Sequence, residues 1–277
     1  ADMYILSEVW GSNGPAIAVR EGDEYGTIYG WDYVYETDLP NGTHVGPFYD
    51  SNGNPLPLLN AEGTEYMKTA DRVPVGNSAP LFTGGFNLTY NWKGLQVYAL
   101  IDAKIGGQIY CGSYVIGMQT GQSPETMYER EGNGLPLYDA EGNFLGNYGV
   151  VLPGVAVNTE TGETAVNDQV VHYYYKYMPN FGGWGNYLTT PGIVDNTWVK
   201  LRELTISYTL PKKWLEKTKF FQTASVSVTG RDLFYIYKNL PDNINPEGTL
   251  GTGNAQGLEY GSYPMTRSFL FTLKFGI

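Results

Sequence analysis

The sequence predicts an all-β protein whose main strands cross a membrane as part of an antiparallel barrel with long loops. Three observations carry that expectation. Five long stretches alternate strictly between apolar and polar residues, the connections between them alternate between short and very long, and 15% of the 277 residues are aromatic while only 16% are charged. An ordinary soluble domain carries about 25% charged residues, so the shortage points to strands with a face turned to something other than water. At 42% hydrophobic residues, the chain holds too much apolar material for a disordered segment.

Alternation reads as strand because successive side chains of an extended chain point to opposite faces. Phe82, Gly84, Phe86, Leu88, Tyr90 and Trp92 share one face, against Thr83, Gly85, Asn87, Thr89 and Asn91. After a tight turn at Lys93-Gly94, Leu95, Val97, Ala99, Ile101, Ala103 and Ile105 continue the apolar face of a hairpin. The pattern returns at Leu204, Ile206, Tyr208 and Leu210, at Ala224, Val226 and Val228, and at Phe269, Phe271, Leu273, Phe275 and Ile277. Five strands are therefore expected near 80–92, 94–106, 198–210, 221–237 and 266–277. Each reaches the roughly 9 to 11 residues that a tilted strand needs to span a bilayer.

Strands one and two are joined by two residues, two and three by about 90, three and four by the segment Pro211 to Phe220, and four and five by about 28. Short turns on one side and long loops on the other is the layout of an outer-membrane barrel, which places the turns and the C-terminus in the periplasm. Tyr90, Trp92, Trp214, Phe220 and Phe221 stand beside the short turns, where an interfacial aromatic girdle belongs. Pro211 to Lys217 is expected to form a turn or two of helix, with the proline at its start. Lys200 and Arg202, at the other end of strand three, are candidates for lipopolysaccharide phosphates, against solvated or lumen-facing charges. The competing reading of the alternation is a half-buried sheet in a water-soluble sandwich.

Several classes of protein are excluded. No apolar run reaches the 18 or so residues of a membrane-spanning helix; the longest, around Gly149 to Val157, is broken by Pro153 and Gly154. The start, Ala1-Asp2-Met3-Tyr4, lacks a basic region followed by an apolar core, so an export signal is expected to have been removed or to lie upstream. Cys111 has no partner for an internal disulfide, and His44 and His172 are the only histidines, so neither a zinc site nor a resident cofactor is expected. Residues 1–197 hold 7 basic and 22 acidic side chains, residues 198–277 hold 10 and 6, and the net −11 opposes nucleic-acid binding. Gly251 to Gly257 has one residue too many for a dinucleotide fingerprint and reads as a mobile loop between strands four and five. With no nucleophile elbow, phosphate loop or paired carboxylates, a non-enzyme is expected. A glycoside hydrolase would need two carboxylates roughly 5 to 10 Å apart in a cleft.

The acidic region holds two aromatic clusters. Tyr25, Tyr29, Trp31, Tyr33 and Tyr35 fall on one face of an extended run, and Tyr173, Tyr174, Tyr175, Tyr177, Phe181, Trp184 and Tyr187 crowd a Gly-rich loop. Tyr and Trp suit loop packing, a protein interface or stacking on a sugar. Tyr29, Trp31, Tyr33, Tyr173, Tyr174, Tyr175, Tyr177, Trp184 and Tyr187 are therefore the candidate ligand or lid contacts. The similar segments Tyr49 to Asn54 and Tyr138 to Asn143 read as hairpin turns. A calcium loop is disfavoured, because Pro55 stands where the spacing asks for Gly and no bidentate Glu follows in either.

A set of motifs adds a resemblance. Asn77 to Gly85 with Lys93-Gly94-Leu95 and Ile105 to Tyr110, then Val199-Lys200-Leu201-Arg202-Glu203-Leu204, Tyr208 to Trp214, Thr229-Gly230-Arg231-Asp232-Leu233-Phe234, Asn245-Pro246-Glu247 and Tyr263 to Arg267 follow one another over about 200 residues. In that order they resemble the C-terminal part of SusC/RagA-like TonB-dependent outer-membrane transporters. The sequence departs from the family at Asp232 and Asn245, where Asn and Asp are commoner, and at Ile277, where an aromatic is usual.

The resemblance implies a roughly 22-stranded barrel around an N-terminal plug, energised by TonB and covered by a SusD-like surface lipoprotein. On that view residues 1–79 and 107–197 are extracellular loop regions, 80–106 a transmembrane hairpin and 198–277 the last three strands. Five strands cannot close a barrel, so the chain is expected to be a fragment paired with the remaining strands and plug. The implied function is import of bulky nutrients, glycans or oligopeptides, across the outer membrane of a Gram-negative bacterium. A secreted β-rich carbohydrate-binding protein is the alternative.

Overall fold

The computed structural model describes residues 2–181, 188–218 and 220–277, and within them the chain divides into two units. One comprises residues 80–107, 195–248 and 263–277, the other residues 1–79, 108–194 and 249–262.

The first unit is a five-stranded antiparallel meander. Its strands are β1 (Phe82–Trp92), β2 (Leu95–Ile105), β3 (Trp198–Thr209), β4 (Thr223–Lys238) and β5 (Ser268–Gly276), paired in chain order. The β1–β2 turn is the expected two-residue one. Lys93 and Gly94 both take positive φ, 46° and 89°, as a twist-matched hairpin turn requires, and a Cβ on Gly94 would lie 2.8 Å from the Thr209 carbonyl oxygen. Between β3 and β4 the chain forms the predicted helical turn, α1 (Lys212–Leu215), with Pro211 at its N-cap, followed by a 3-10 turn at Glu216–Thr218.

The pairing joins apolar positions into continuous rows. Tyr90 faces Val97, Val97 faces Ile206, Ile206 faces Val228 and Val228 faces Phe271. The neighbouring row, Asn91, Gln96, Ser207, Ser227 and Thr272, is polar throughout and lies on the opposite face. The apolar rows are not buried: Phe86, Leu88, Ile206, Val226 and Phe271 are exposed, Phe271 at 76%, and Val97 is half-buried. A sandwich would cover this face with a second sheet. β1 and β5 are the outermost strands of an unclosed sheet.

The other unit is built from short strands. Tyr4–Glu8, Ala16–Val19, Thr27–Gly30 and Val73–Asn77 form an antiparallel sheet over a core of Val9, Ile17, Ile28, Tyr110, Val115 and Leu258. Gln108–Cys111 leads into helix α2 (Gly112–Gln119) and pairs in parallel with Leu258–Glu259. Leu258, the residue that follows the Gly251–Gly257 loop, thus contributes to the core. A second core, Leu39, Val45, Leu58, Val155 and Val157, lies under the strands Leu58–Leu59 and Val155–Val157. Among the described residues no helix is long and apolar enough to cross a membrane.

Candidate functional site

The first aromatic cluster does not share one open face. Tyr29, in the strand Thr27–Gly30, is buried; its hydroxyl donates to Asp23 Oδ2 at 2.5 Å and the Arg20 guanidinium lies 5.0 Å from its ring centre. Burial, reinforced by Asp23, pushes its phenol up. Trp31 is half-buried with Lys68 Nζ and the Arg72 guanidinium each 5.2 Å from its ring. Tyr33 packs edge-on against Tyr66 at 5.0 Å, and burial raises both phenols, that of Tyr66 to about 12. The polar tip of Tyr29 is thereby committed within its own unit. Tyr25, by contrast, is exposed and donates to Asn254 Oδ1 at 2.8 Å.

The second cluster borders a cavity. The single helical turn α3 (Tyr174–Tyr177) buries Tyr177, whose hydroxyl lies 2.9 Å from Glu129 Oε2 and 3.1 Å from the Glu125 carbonyl oxygen. Lys176 Nζ donates to Glu129 Oε1 at 2.9 Å. Burial alone would raise the Glu129 carboxyl, but the hydrogen bonds from Lys176 and Tyr177 outweigh it and hold the group below the usual glutamate range. Tyr173 stacks on His172, ring centres 4.3 Å apart, while Tyr174 and Tyr175 present exposed rings. The cavity of about 270 Å³ is lined by Met118, Gln119, Arg130, Tyr173, Tyr174 and Met178 among others. Sequence reasoning passed over Arg130, since nothing local distinguishes it from a solvated charge. Trp184 and Tyr187 lie outside the described residues.

Three of the motifs that carried the resemblance converge on one ion cluster at the end of the sheet away from the short turns. Arg202 is the extra residue of a bulge on β3: Leu100 faces Glu203 while Ile101 faces Leu201. Its guanidinium donates to Asp102 Oδ2 at 2.7 Å, Asp232 Oδ1 at 3.0 Å and Glu247 Oε1 at 2.5 Å. Lys200, only 2% exposed, reaches Asp232 Oδ1 at 2.7 Å and Glu247 Oε2 at 2.6 Å. Asp232 takes a positive φ of 52° in doing so. Two cations against three carboxylates make a self-contained ion cluster, so both side chains are paired within their own unit. The Tyr235 hydroxyl, 2.8 Å from Asn245 Oδ1 and 3.2 Å from Glu247 Oε2, closes the group.

Asp50 and Asp139 form twin turns rather than metal loops. Each accepts backbone and side-chain hydrogen bonds from the Asn four residues on, Asn54 and Asn143, and each turn closes on a Gly of positive φ. Those bonds hold both carboxyls below the usual aspartate range. No group of metal-ligating side chains occurs among the described residues.

No family model matches the chain. The TonB-dependent receptor P3 of Formosa agariphila is 27% identical over 264 residues, which take in 92% of this chain and 22% of the relative. The solved RagAB peptide transporter superposes with a TM-score of 0.52 at 16% identity, over 99% of this chain and 25% of that one. The chain thus spans a quarter or less of the length of either. At 16% identity the second likeness is one of fold alone. Sequence and fold together bear out the resemblance to the C-terminal part of a SusC/RagA-like TonB-dependent outer-membrane transporter, and an all-β chain carrying barrel strands.

Proposed function

We propose that this chain supplies five wall strands and their loops to a TonB-dependent outer-membrane transporter that imports bulky nutrients, glycans first and oligopeptides second. The observation that carries the reading is the exposed apolar row from Tyr90 to Phe271 backed by an unbroken polar row. Hydrocarbon is the surrounding in which such a row is stable, while the polar row lines a wet lumen. Energy enters through TonB and a plug encoded outside this sequence, and a SusD-like lipoprotein covers the extracellular side. The short turns and the C-terminus are periplasmic, and residues 1–79 and 107–197 face outward. Exposed Tyr174 and Tyr175 favour a sugar or the lipoprotein as their contact; the oligopeptide option draws on the name of the fold neighbour.

The secreted carbohydrate-binding alternative needs a dry core on the apolar face, and the exposure of Phe86, Leu88 and Phe271 opposes it. Fractionation of cells expressing the full-length gene separates the two. The transporter reading expects outer-membrane location, a requirement for detergent, and loss of growth on an oligomeric nutrient, but not on its monomer, when either this gene or TonB is deleted. A parent protein that stays soluble and monomeric without detergent would overturn it.

A further inference from the structure

We infer that the cavity between α2 and the Tyr173–Met178 segment is a carboxylate-recognition subsite, with Arg130 as the recognising cation. The inference deepens the transporter reading and rests on it for the source of the ligand. Arg130 Nη1 donates to the Gly121 carbonyl oxygen at 2.5 Å and lies 3.4 Å from Thr126 Oγ1. Its Nε and Nη2 meet no acceptor among the described residues. Its own unit contains 21 carboxylates and only five basic side chains, yet no described carboxylate pairs with it. A guanidinium held by one nitrogen keeps the other two in the fork that matches a carboxylate with two parallel hydrogen bonds.

The walls are fixed before any ligand arrives. Glu129, the preceding residue, is buried and bound to both Lys176 and Tyr177. That pins the backbone beside Arg130 to the helical turn carrying Tyr174, so little ordering cost remains to be met on binding. Met118, Met178, Tyr173 and Tyr174 offer adaptable sulfur and ring surface for the group next to the carboxylate. About 270 Å³ accommodates one residue or one sugar ring, so the subsite reads the end of a longer ligand. The unit's net charge of −16 gives a polyanion no long-range attraction. The chemistry selected is therefore a single terminal carboxylate on an otherwise neutral or cationic chain, as a peptide C-terminus or a terminal uronic acid provides.

The test uses the full-length transporter in detergent and saturation-transfer NMR with two probe pairs: N-acetylphenylalanine against its carboxamide, and methyl glucuronide against methyl glucoside. The carboxylate member of at least one pair is expected to bind about tenfold to a hundredfold more tightly than its uncharged twin. Arg130→Gln should erase that difference and Arg130→Lys retain part of it, with near-UV circular dichroism unchanged in both. The pair that responds identifies the source. Equal binding within both pairs, no binding of any probe, or an advantage that survives Arg130→Gln overturns the subsite. Probe binding needs no energised uptake, so loss of import with probe discrimination intact would count against the transporter reading alone.

Discussion

Lys200 is almost wholly enclosed, and its ammonium is tolerable there only because Asp232 and Glu247 both reach it. Removing one carboxylate leaves a buried cation undercompensated, so Glu247→Ala should destabilise the full-length protein by about 3 kcal/mol. Urea titration followed by the loss of gel heat-modifiability measures it, and Glu247→Gln should cost less. Two of the three positions at which the sequence departs from the pattern of the transporters it resembles, Asp232 and Asn245, sit in this cluster: Asp232 takes the two cations, and Asn245 accepts the Tyr235 hydroxyl. Glu129 supplies a second residue-level prediction. Its folded pKa lies below the ordinary value of 4.5, so the unfolded state binds its proton first as pH falls. Its contribution to stability is complete above about 4.5 and is lost as pH drops through the lower folded value. Near-UV circular dichroism of the tyrosines should therefore show a transition below about pH 4.5 that Glu129→Gln removes.

At the scale of elements, β3 combines an exposed apolar register with an ion cluster at one end, and the bulge at Arg202 allows one strand to do both. Its two faces should respond unequally to the same charge. Ile206→Arg is expected to cost about 2 to 4 kcal/mol, whereas Ser207→Arg, one residue on, should cost well under half of that. Folding titrations into bilayers check the pair, and equal costs would mean that the faces are misassigned. The five strands were legible because each imposes a period of two over seven or more residues, and their observed ends lie within a few residues of those expected. The Lys93-Gly94 turn was legible for a similarly local reason. The acidic unit was not, since strands such as Leu58–Leu59 and Leu258–Glu259 are two residues long and pair with partners distant in sequence. Glu259 shows the limit well. It is fully buried, bound by Ser113 and Ser262, and nothing in its own neighbourhood of the sequence marks it. Its replacement by Ala should strand those hydroxyls and cost about 1 to 3 kcal/mol, measurable as earlier proteolysis of the full-length protein between residues 108 and 194. Arg130 escaped for the same reason, because a cavity is made of residues from separate segments.

For the molecule as a whole, charge is partitioned between the units. The short-strand unit carries −16, and the meander, with 12 basic and seven acidic residues, carries +5. A meander whose apolar rows are uncovered and whose outermost strands each pair on one side has two unmet requirements, an apolar surrounding and further strands. The proposed transporter meets both at once, which a carbohydrate-binding sandwich does not. The most direct test is spin labelling of the full-length protein reconstituted in bilayers, with single labels at Ile206, Ser207, Val228 and Ser227. The account predicts that labels at 206 and 228 collide freely with membrane-dissolved oxygen and that those at 207 and 227 are reached by a water-soluble nickel complex. Labels at 206 and 228 shielded from both reagents would show these side chains packed against protein and would contradict it.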